Sequence, residues 1–244
     1  MTDGLLLLHA WPLDARMWQP QLDALPVGLA VVAPHHPGFG GSEAAGEVMT
    51  MGSAAERALA AMDAAGIDRA LVCGLSIGGY VAFELWRRAR HRIAGLILAN
   101  TRAVADTDEA AAGRRALAAR LRSEGNVLAG EPPPLLAADA PVELQDRVRA
   151  LIADQPADAI AAAALGMAER PDSTPDLTTI DVPTLVVTST GDRLIAPEVS
   201  AEMAGQIPEA RLEMLEAVGH LSNLEAPEAF TALLEEHLPA CGIA

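Results

Sequence analysis

The sequence predicts an α/β protein with a mostly parallel, doubly wound sheet and one helical insertion. Short apolar runs of strand length recur along the 244-residue chain, and segments with helical spacing separate them. We expect these strands to be covered on both faces, as parallel strands are, which accounts for apolar runs rather than alternating patterns. One long stretch, 103–177, contains no convincing strand, and its helical patterns are interrupted by glycine and proline.

Each predicted element follows from a local pattern. Short β-like runs predict strands at 5–9, 30–33, 70–75, 93–99, 184–189 and 211–215. Helical spacing predicts helices at 53–65, 78–90, 197–206 and 226–237. Gly66 is the predicted C-cap of the first helix, since glycine readily adopts the left-handed conformation found there. Pro197 suits the first turn of the third helix, where a missing N–H costs nothing.

The order of these elements predicts the domain organisation. Strands that alternate with helices form βαβ units with right-handed crossovers, and a chain of this length can bury one large core. We expect the α/β core to comprise residues 1–102 together with 178–244. The stretch 103–177 is too long for a simple connection, so we expect it to form a helical cap, or lid, over the strand ends.

Composition excludes several classes of protein. The formal net charge of −16 disfavours a nucleic-acid partner or an anionic membrane, since both require clustered basic residues. All 17 basic residues are arginine, which excludes a Schiff-base lysine and a P-loop lysine. Cys73 and Cys241 are too few for a disulfide framework or a zinc site. We see no signal-peptide pattern or membrane-length apolar run, so a cytoplasmic location is expected.

A serine stands between two glycines where the third predicted strand ends, in the sequence CGLSIGGY at 73–80. G-x-S-x-G at a strand-to-helix turn is typical of a nucleophile elbow, which projects the serine oxygen above the sheet edge. Gly74 and Gly78 are expected to be small because larger residues would clash with the adjoining strand and helix. The N–H of Ile77 points at the same spot from the positive end of the next helix, so Ile77 is a predicted oxyanion donor.

A nucleophilic serine needs a base, and the base needs an orienting acid. Asp192 follows the fifth predicted strand and His220 follows the sixth. Both therefore lie at the carboxyl edge of a parallel sheet, where such folds bind ligands. Asp181 is the competing acid, but it precedes the fifth strand and lies at the wrong end of the sheet.

The loop after the first strand, HAWPLD at 9–14, is expected to supply the second oxyanion donor through the backbone N–H of Trp11. Trp11 is also expected to line the substrate pocket, together with Phe39 and with Leu221, which follows the predicted base. His9 is expected to hydrogen-bond within its own loop, and His36 receives no role.

Five motifs carry a resemblance to a known family: LLLLHAWPLDARMW, PHHPGFGGS, CGLSIGGY, PTLVVTSTGDRLIAP and AVGHLSNLEAPEAF. In this order they resemble the α/β-hydrolase superfamily over nearly the whole chain. The chain looks most like small esterases and lactonases of the 3-oxoadipate enol-lactonase and non-haem haloperoxidase type. The resemblance implies Ser76 as nucleophile, His220 as base, Asp192 as acid, Trp11 and Ile77 as oxyanion donors, and neither a cofactor nor a metal.

Three features depart from the family pattern. The family usually has His-Gly where this chain has His9 and Ala10, and Asp where the turn PHHPGFGGS has His35. Relatives usually carry a β-hairpin before the strand with which this chain almost starts, so we expect about six strands rather than roughly eight. The choice of acid is a separate point: some relatives keep the acid after the fourth strand, where this chain has Asn100, so Asp192 stays the predicted acid.

The expected reaction is hydrolysis of a small-molecule carboxylic ester or lactone through an acyl-enzyme. Three alternatives stay open at this stage. The same triad could cleave a carbon–carbon bond in a diketone or support perhydrolysis, and some proteins of this fold are ligand receptors, since fold does not determine function. The many alanines of 103–177 indicate an apolar pocket, and both a monomer and a homodimer are open.

Overall fold

The structure is a computed structural model that describes residues 2–44 and 46–243. Its centre is a six-stranded sheet with the order β2-β1-β3-β4-β5-β6, and every strand pairing among the described residues is parallel. The fold class predicted from the sequence is confirmed. The strands are β1 (Asp3–Leu8), β2 (Val31–Val32), β3 (Arg69–Leu75), β4 (Ile93–Ala99), β5 (Thr184–Ser189) and β6 (Arg211–Leu215).

Helices connect the strands and form most of the region between β4 and β5. No helix in the described part of the chain is both long enough and apolar enough to cross a membrane. The helices are α1 (Gln19–Ala24), α2 (Met51–Ala64), α3 (Ile77–Ala89), α4 (Asp108–Glu124), α5 (Val142–Ala153), α6 (Ala157–Ala168), α7 (Thr174–Leu177), α8 (Pro197–Ala204), α9 (Ser222–Glu225) and α10 (Pro227–His237). Short 3₁₀ turns lie at Ala15–Trp18, Arg90–Arg92, Val127–Ala129 and Pro239–Cys241.

The predicted strands and core helices agree with these bounds to within two residues at each end. α2 begins earlier than predicted because the side chain of Thr50 accepts the N–H of Ser53 and caps the helix start. The prediction missed α1 and α9, whose six and four residues are too few for a helical period to stand out in the sequence.

Helices cover both faces of the sheet. Right-handed crossovers place α1 on one face and α2, α3 and α8 on the other, because the chain moves outward from β1 to β2 and then returns. α1 packs against α10, and α2 packs against α3. Between these layers the side chains of Leu5 to Leu8 are 0% exposed, which explains why β1 is an apolar run.

The chain reverses its direction of travel across the sheet beside β1. The connection after β1 leads to β2, whereas the connection after β3 leads the opposite way to β4. The loops after β1 and β3 therefore leave the sheet towards opposite faces and open a crevice at its carboxyl edge, where α/β proteins bind ligands. Trp11 lies in the first loop and Ser76 in the second.

Residues 103–177 contain α4 to α7 and one 3₁₀ turn, and no strand is found in this fully described range. α4 packs against α6. α6 also contacts two loops of the core. The indole Nε1 of Trp11 donates to the Ile160 carbonyl at 3.1 Å, and the Met49 N–H donates to the Ala162 carbonyl at 3.0 Å.

Candidate active site

Ser76 occupies a strained turn between β3 and α3. Its backbone has φ 57° and ψ −116°, a combination that costs a non-glycine residue on the order of 1–3 kcal/mol. Neighbouring residues hold this conformation in place. The Ser76 N–H donates to the Ala99 carbonyl at 2.9 Å, and the Thr101 hydroxyl donates to the Ser76 carbonyl at 2.8 Å. The strained turn predicted from the sequence is confirmed, and the end of β4 anchors it.

The two glycines of the elbow have steric reasons to be glycine. A Cβ on Gly74 would collide with the carbonyl of Gly78, and a Cβ on Gly78 would collide with the carbonyl of Leu8 in β1. The first contact lets α3 start directly above the end of β3. The second lets α3 pack closely against the neighbouring strand.

Asp192 and His220 form a buried pair at the same edge of the sheet. The His220 Nδ1 and the Asp192 Oδ2 are 2.8 Å apart, and the two side chains are 2% and 0% exposed. The other oxygen, Oδ1, accepts the N–H groups of Leu194 at 2.8 Å and Ile195 at 3.0 Å. Burial raises the pKa of Asp192, but the hydrogen bond and charge of His220 and the two amides outweigh burial and hold this pKa below its usual 3.8. The carboxyl is therefore ionised at neutral pH.

A third polar side chain, Asn100, completes the surroundings of this carboxylate. Its Nδ2 donates to the Asp192 Oδ2 at 3.0 Å and to the Ser189 hydroxyl at 2.6 Å. Its Oδ1 accepts the Ser222 hydroxyl at 2.6 Å. Asn100, Ser189 and Ser222 were not predicted as site residues. The available signal was the position of Asn100 directly after β4, at the same edge as the pair.

The structure brings Asp192 and His220 together but records no hydrogen bond to the Ser76 hydroxyl from any described residue. Ser76 is partly exposed. Hydrogen bonds between nucleophile and base are often long in unliganded enzymes and shorten once substrate is bound.

Two backbone N–H groups, in the loops that follow β1 and β3, have no acceptor among the described residues. Ile77 is the first residue of α3, so its N–H has no partner within the helix. The N–H of Trp11 lies in the turn that the Leu13 N–H and the Ala10 carbonyl close at 3.0 Å. These are the two groups that the sequence assigns to an oxyanion hole.

The three predicted pocket residues differ in exposure. Trp11 is partly exposed and its indole is bound to α6. Phe39 is 1% exposed and packs edge-on against the His9 ring, with 5.6 Å between ring centroids. Leu221 is 0% exposed, and its N–H donates to the Leu135 carbonyl at 3.0 Å. Trp11 thus offers surface to a ligand, whereas contact of Phe39 and Leu221 with substrate stays a prediction.

A second group of histidines lies beside the loop after β1. The His36 N–H donates to the His9 Nε2 at 2.8 Å, and the His36 Nε2 donates to the His9 carbonyl at 3.0 Å. Burial lowers the pKa of His36 to about 4 and lowers the pKa of His9 well below its ordinary value. Both rings are therefore neutral at pH 7. The His9 Nδ1 donates to the Ala10 carbonyl at 3.1 Å, which confirms the expectation that His9 hydrogen-bonds within its own loop.

Two of the three departures from the family pattern, Ala10 and His35, fit without strain. Ala10 does not adopt a positive φ, and its methyl group is 0% exposed in the core. His35 accepts the Ala15 N–H at its Nδ1, at 3.2 Å. Its ring also fills the space beside Gly40, where a Cβ would collide with it. His35 thus ties the PHHPGFGGS turn to the loop after β1.

Fold and site geometry together are those of an α/β hydrolase, and comparison with known families agrees. Residues 5–233 match the model of the Alpha/beta hydrolase family. Since the match spans most of the 244 residues, the chain belongs to this family.

Esterases and lactonases are among the similar proteins. The pimeloyl-(acyl-carrier protein) methyl ester esterase of Aromatoleum aromaticum is 29% identical over 247 residues, covering 95% of this chain and 96% of the relative. The 3-oxoadipate enol-lactonase 1 of Acinetobacter baylyi is 29% identical over 222 residues, covering 89% and 81%. The structure of a thermophilic esterase from Thermogutta terrifontis (malate bound) is 39% identical, covers 99% of this chain and 92% of that one, and has a TM-score of 0.92. The resemblance to esterases and lactonases is confirmed.

Proposed function

We propose that this protein is a serine hydrolase that cleaves a small carboxylic ester or lactone through an acyl-enzyme. The observation that carries the proposal is the buried pair of Asp192 and His220, 2.8 Å apart, at the edge where Ser76 occupies its strained turn. The names of the similar esterases and lactonases support the same bond type.

In the proposed reaction His220 acts as general base. The Asp192 carboxylate accepts the Nδ1–H of His220, which leaves Nε2 free to take the Ser76 proton as the serine oxygen attacks the carbonyl carbon. The same carboxylate stabilises the imidazolium that forms. The pKa of Asp192 lies below its usual value, so it carries this negative charge at neutral pH.

Trp11 and Ile77 are the proposed oxyanion donors. Their N–H groups have no acceptor in the described chain, so they can donate to the negative oxygen of the tetrahedral intermediate without first breaking another bond. Loss of one such donor typically lowers the rate by about 10²–10³. His220 then returns the proton to the leaving group and activates the water that releases the acid. No step of this cycle requires a cofactor or a metal.

We propose that residues 103–177 form a cap over this site. Trp11 connects the two regions, since its backbone N–H is a proposed oxyanion donor while its indole donates to the Ile160 carbonyl of α6. Four consecutive buried alanines at 161–164 keep α6 thin, which favours a substrate with an apolar acyl or alcohol part. We also propose a cytoplasmic location and a monomer or homodimer; the net charge of −16 favours the monomer by repulsion between copies.

The proposal is tested with p-nitrophenyl esters of increasing acyl length, followed by lactones. Wild type is compared with Ser76→Ala and with Ser123→Ala, which removes an exposed serine of α4 as a matched control. We expect turnover by wild type and by the control, no turnover by Ser76→Ala, and covalent labelling of wild type at Ser76 by a fluorophosphonate. Turnover or labelling that persists in Ser76→Ala would refute the nucleophile. If wild type neither hydrolyses these esters and lactones nor reacts with the fluorophosphonate, the proposed hydrolase activity is refuted.

A further inference from the structure

A half-buried carboxylate outside the proposed triad joins two loops beside His220. Glu225 is the last residue of α9. Its Oε1 accepts the Gly219 N–H at 2.9 Å, and its Oε2 accepts the Ala137 N–H at 3.0 Å. Gly219 immediately precedes His220, and Ala137 belongs to the proposed cap. One side chain therefore holds the histidine loop with one oxygen and the cap with the other.

The two loops meet closely at this point. A Cβ on Gly219 would collide with the backbone N of Ala137 and would lie 2.6 Å from the Glu225 Oε1. On the other side of the histidine, the Leu221 N–H donates to the Leu135 carbonyl at 3.0 Å. Both neighbours of His220 are thus bound to the segment 135–137, directly on one side and through Glu225 on the other.

The charge of Glu225 is held by these amides rather than by an ion pair. None of the ion pairs among the described residues involves Glu225, although arginine pairs are common elsewhere in the chain. Burial raises the pKa of Glu225, and the negative charges of Asp139 and Asp192 add to this, while the two amide bonds oppose it. A carboxylate can accept from both N–H groups at once, whereas an amide side chain offers only one acceptor oxygen.

The segment bound by Glu225 also borders open space. Leu135, Leu136 and Ala137 line a cavity of about 420 Å³ together with Arg193, the residue that follows Asp192. The same segment therefore binds the histidine loop and, together with the loop that carries Asp192, borders a space large enough for a small molecule.

We propose that Glu225 is a positioning residue that aligns the His220 loop with the cap and so keeps the imidazole directed at Ser76. This inference rests on the proposed function, because it assumes that His220 is the base. A displacement of about 1 Å in a catalytic group can lower a rate by about 10²-fold. Loss of the bridge therefore acts on turnover more than on substrate binding.

The kinetic test compares Glu225→Gln and Glu225→Ala with wild type on the ester that wild type hydrolyses best. Glu228→Gln is the control, since it neutralises an exposed carboxylate three residues away on α10. We expect kcat to fall by about 10–10²-fold in Glu225→Gln and further in Glu225→Ala, with KM within about threefold and the control unchanged. A kcat within about twofold of wild type in both Glu225 variants would overturn the positioning role.

Amide hydrogen exchange supplies a second readout that does not depend on turnover. Loss of the bridge should speed exchange in 133–140 and 216–224 of Glu225→Gln and leave β4 unchanged. Exchange that is unchanged everywhere, or faster throughout the protein, would overturn the proposal, since the first result means no bridge and the second means a general loss of stability. If wild type itself has no esterase activity, the proposed function fails, and the exchange data still report on the bridge.

Discussion

Two buried clusters that contain histidine lie at the carboxyl edge of the sheet, and their histidines differ in their hydrogen-bond partners. His220, after β6, is 1% exposed and is paired with the Asp192 carboxylate. His9 and His36, in the loops after β1 and β2, are 0% and 3% exposed and are bonded to each other and to backbone groups. Both clusters are buried at the ends of parallel strands, so position and burial alone do not distinguish them.

The difference concerns whether the partner of a buried histidine can stabilise a positive charge on its ring. Burial disfavours the imidazolium, and neutral partners do not compensate, so the pKa of His36 falls to about 4. An ionised carboxylate stabilises the charged ring at the moment it accepts a proton. The His9–His36 cluster is therefore a neutral structural element, whereas His220 has the ionised partner that its proposed role as base requires.

The largest expected effect comes from replacing His220, and His36 is replaced separately for comparison. His220→Gln should lower kcat by about 10⁵–10⁶-fold, since loss of the base disables the whole triad. His36→Gln should keep kcat within about tenfold and lower the free energy of unfolding by about 1–3 kcal/mol, because it removes buried hydrogen bonds. Ester hydrolysis and urea unfolding of both variants measure this. Equal losses of kcat in the two variants would contradict the division of roles.

Removing the Asp192 carboxylate should leave His220 with only neutral partners, as in the His9–His36 cluster. Asp192→Asn should lower kcat by about 10⁴-fold. An asparagine can hold the imidazole in the wrong tautomer, and it carries no negative charge to stabilise the imidazolium. Asp181→Asn is the matched control, since Asp181 is exposed before β5, at the opposite end of the strand. Near-wild-type hydrolysis by Asp192→Asn would remove this residue from the role of acid.

The neutral cluster should make stability fall as the solution is acidified. The folded protein keeps His36 neutral down to about pH 4, whereas the unfolded chain binds a proton from about 6.5 downwards. The contribution of His36 to the free energy of unfolding is therefore fully present above pH 6.5. It is lost as the pH falls towards 4, by on the order of 3 kcal/mol.

Urea unfolding between pH 7 and pH 4 measures this loss. His36→Gln should reduce the slope over this range, whereas His91→Gln, an exposed histidine, should leave the slope as in wild type. A steep slope that survives in His36→Gln would place the acid sensitivity elsewhere. Asp192 does not contribute here, because its lowered pKa acts only below its usual value of 3.8.

The smallest expected effect concerns Asn100, which donates a hydrogen bond to the Asp192 carboxylate. Asn100→Ala should lower kcat by about 10-fold, because Asp192 keeps its bond to His220 and loses only a neutral donor. In the double variant with Asp192→Asn, the loss due to Asn100→Ala should nearly vanish, since Asn100 acts through that carboxylate. Additive losses in this double-mutant cycle would mean that Asn100 acts independently of Asp192.

Much of the fold could be predicted because local patterns specify it. β1, β3, β4 and β5 are apolar runs that are buried on both faces, and the longer helices carry caps or breakers at their ends. The expected burial is wrong for the strands at the two edges of the sheet, since β2 is only partly buried and β6 is largely exposed. The prediction failed for α1 and α9, which are short and depend on packing. α9 places Glu225 beside the histidine loop, so the missed helix also concealed the proposed bridge.

The candidate site could be predicted only in part from the sequence, for a related reason. Ser76 stands in a dense local motif whose glycines have identifiable steric roles. Asn100 carries no such motif, and its contact with Asp192 spans 92 positions of the chain. That contact exists because β4 and β5 are neighbours in the sheet, which no local pattern reveals.

The sequence by itself determined the type and order of the main elements, the strained serine turn, and the presence of an acid and a histidine after later strands. Each of these depends on residues within a few positions of one another or on a count along the chain. Only the tertiary structure decided that Asp192 meets His220 rather than the His9–His36 cluster, and that Asn100 lies behind the carboxylate. The physical reason is that hydrogen bonds form between groups about 3 Å apart, and strand order determines which distant residues come that close.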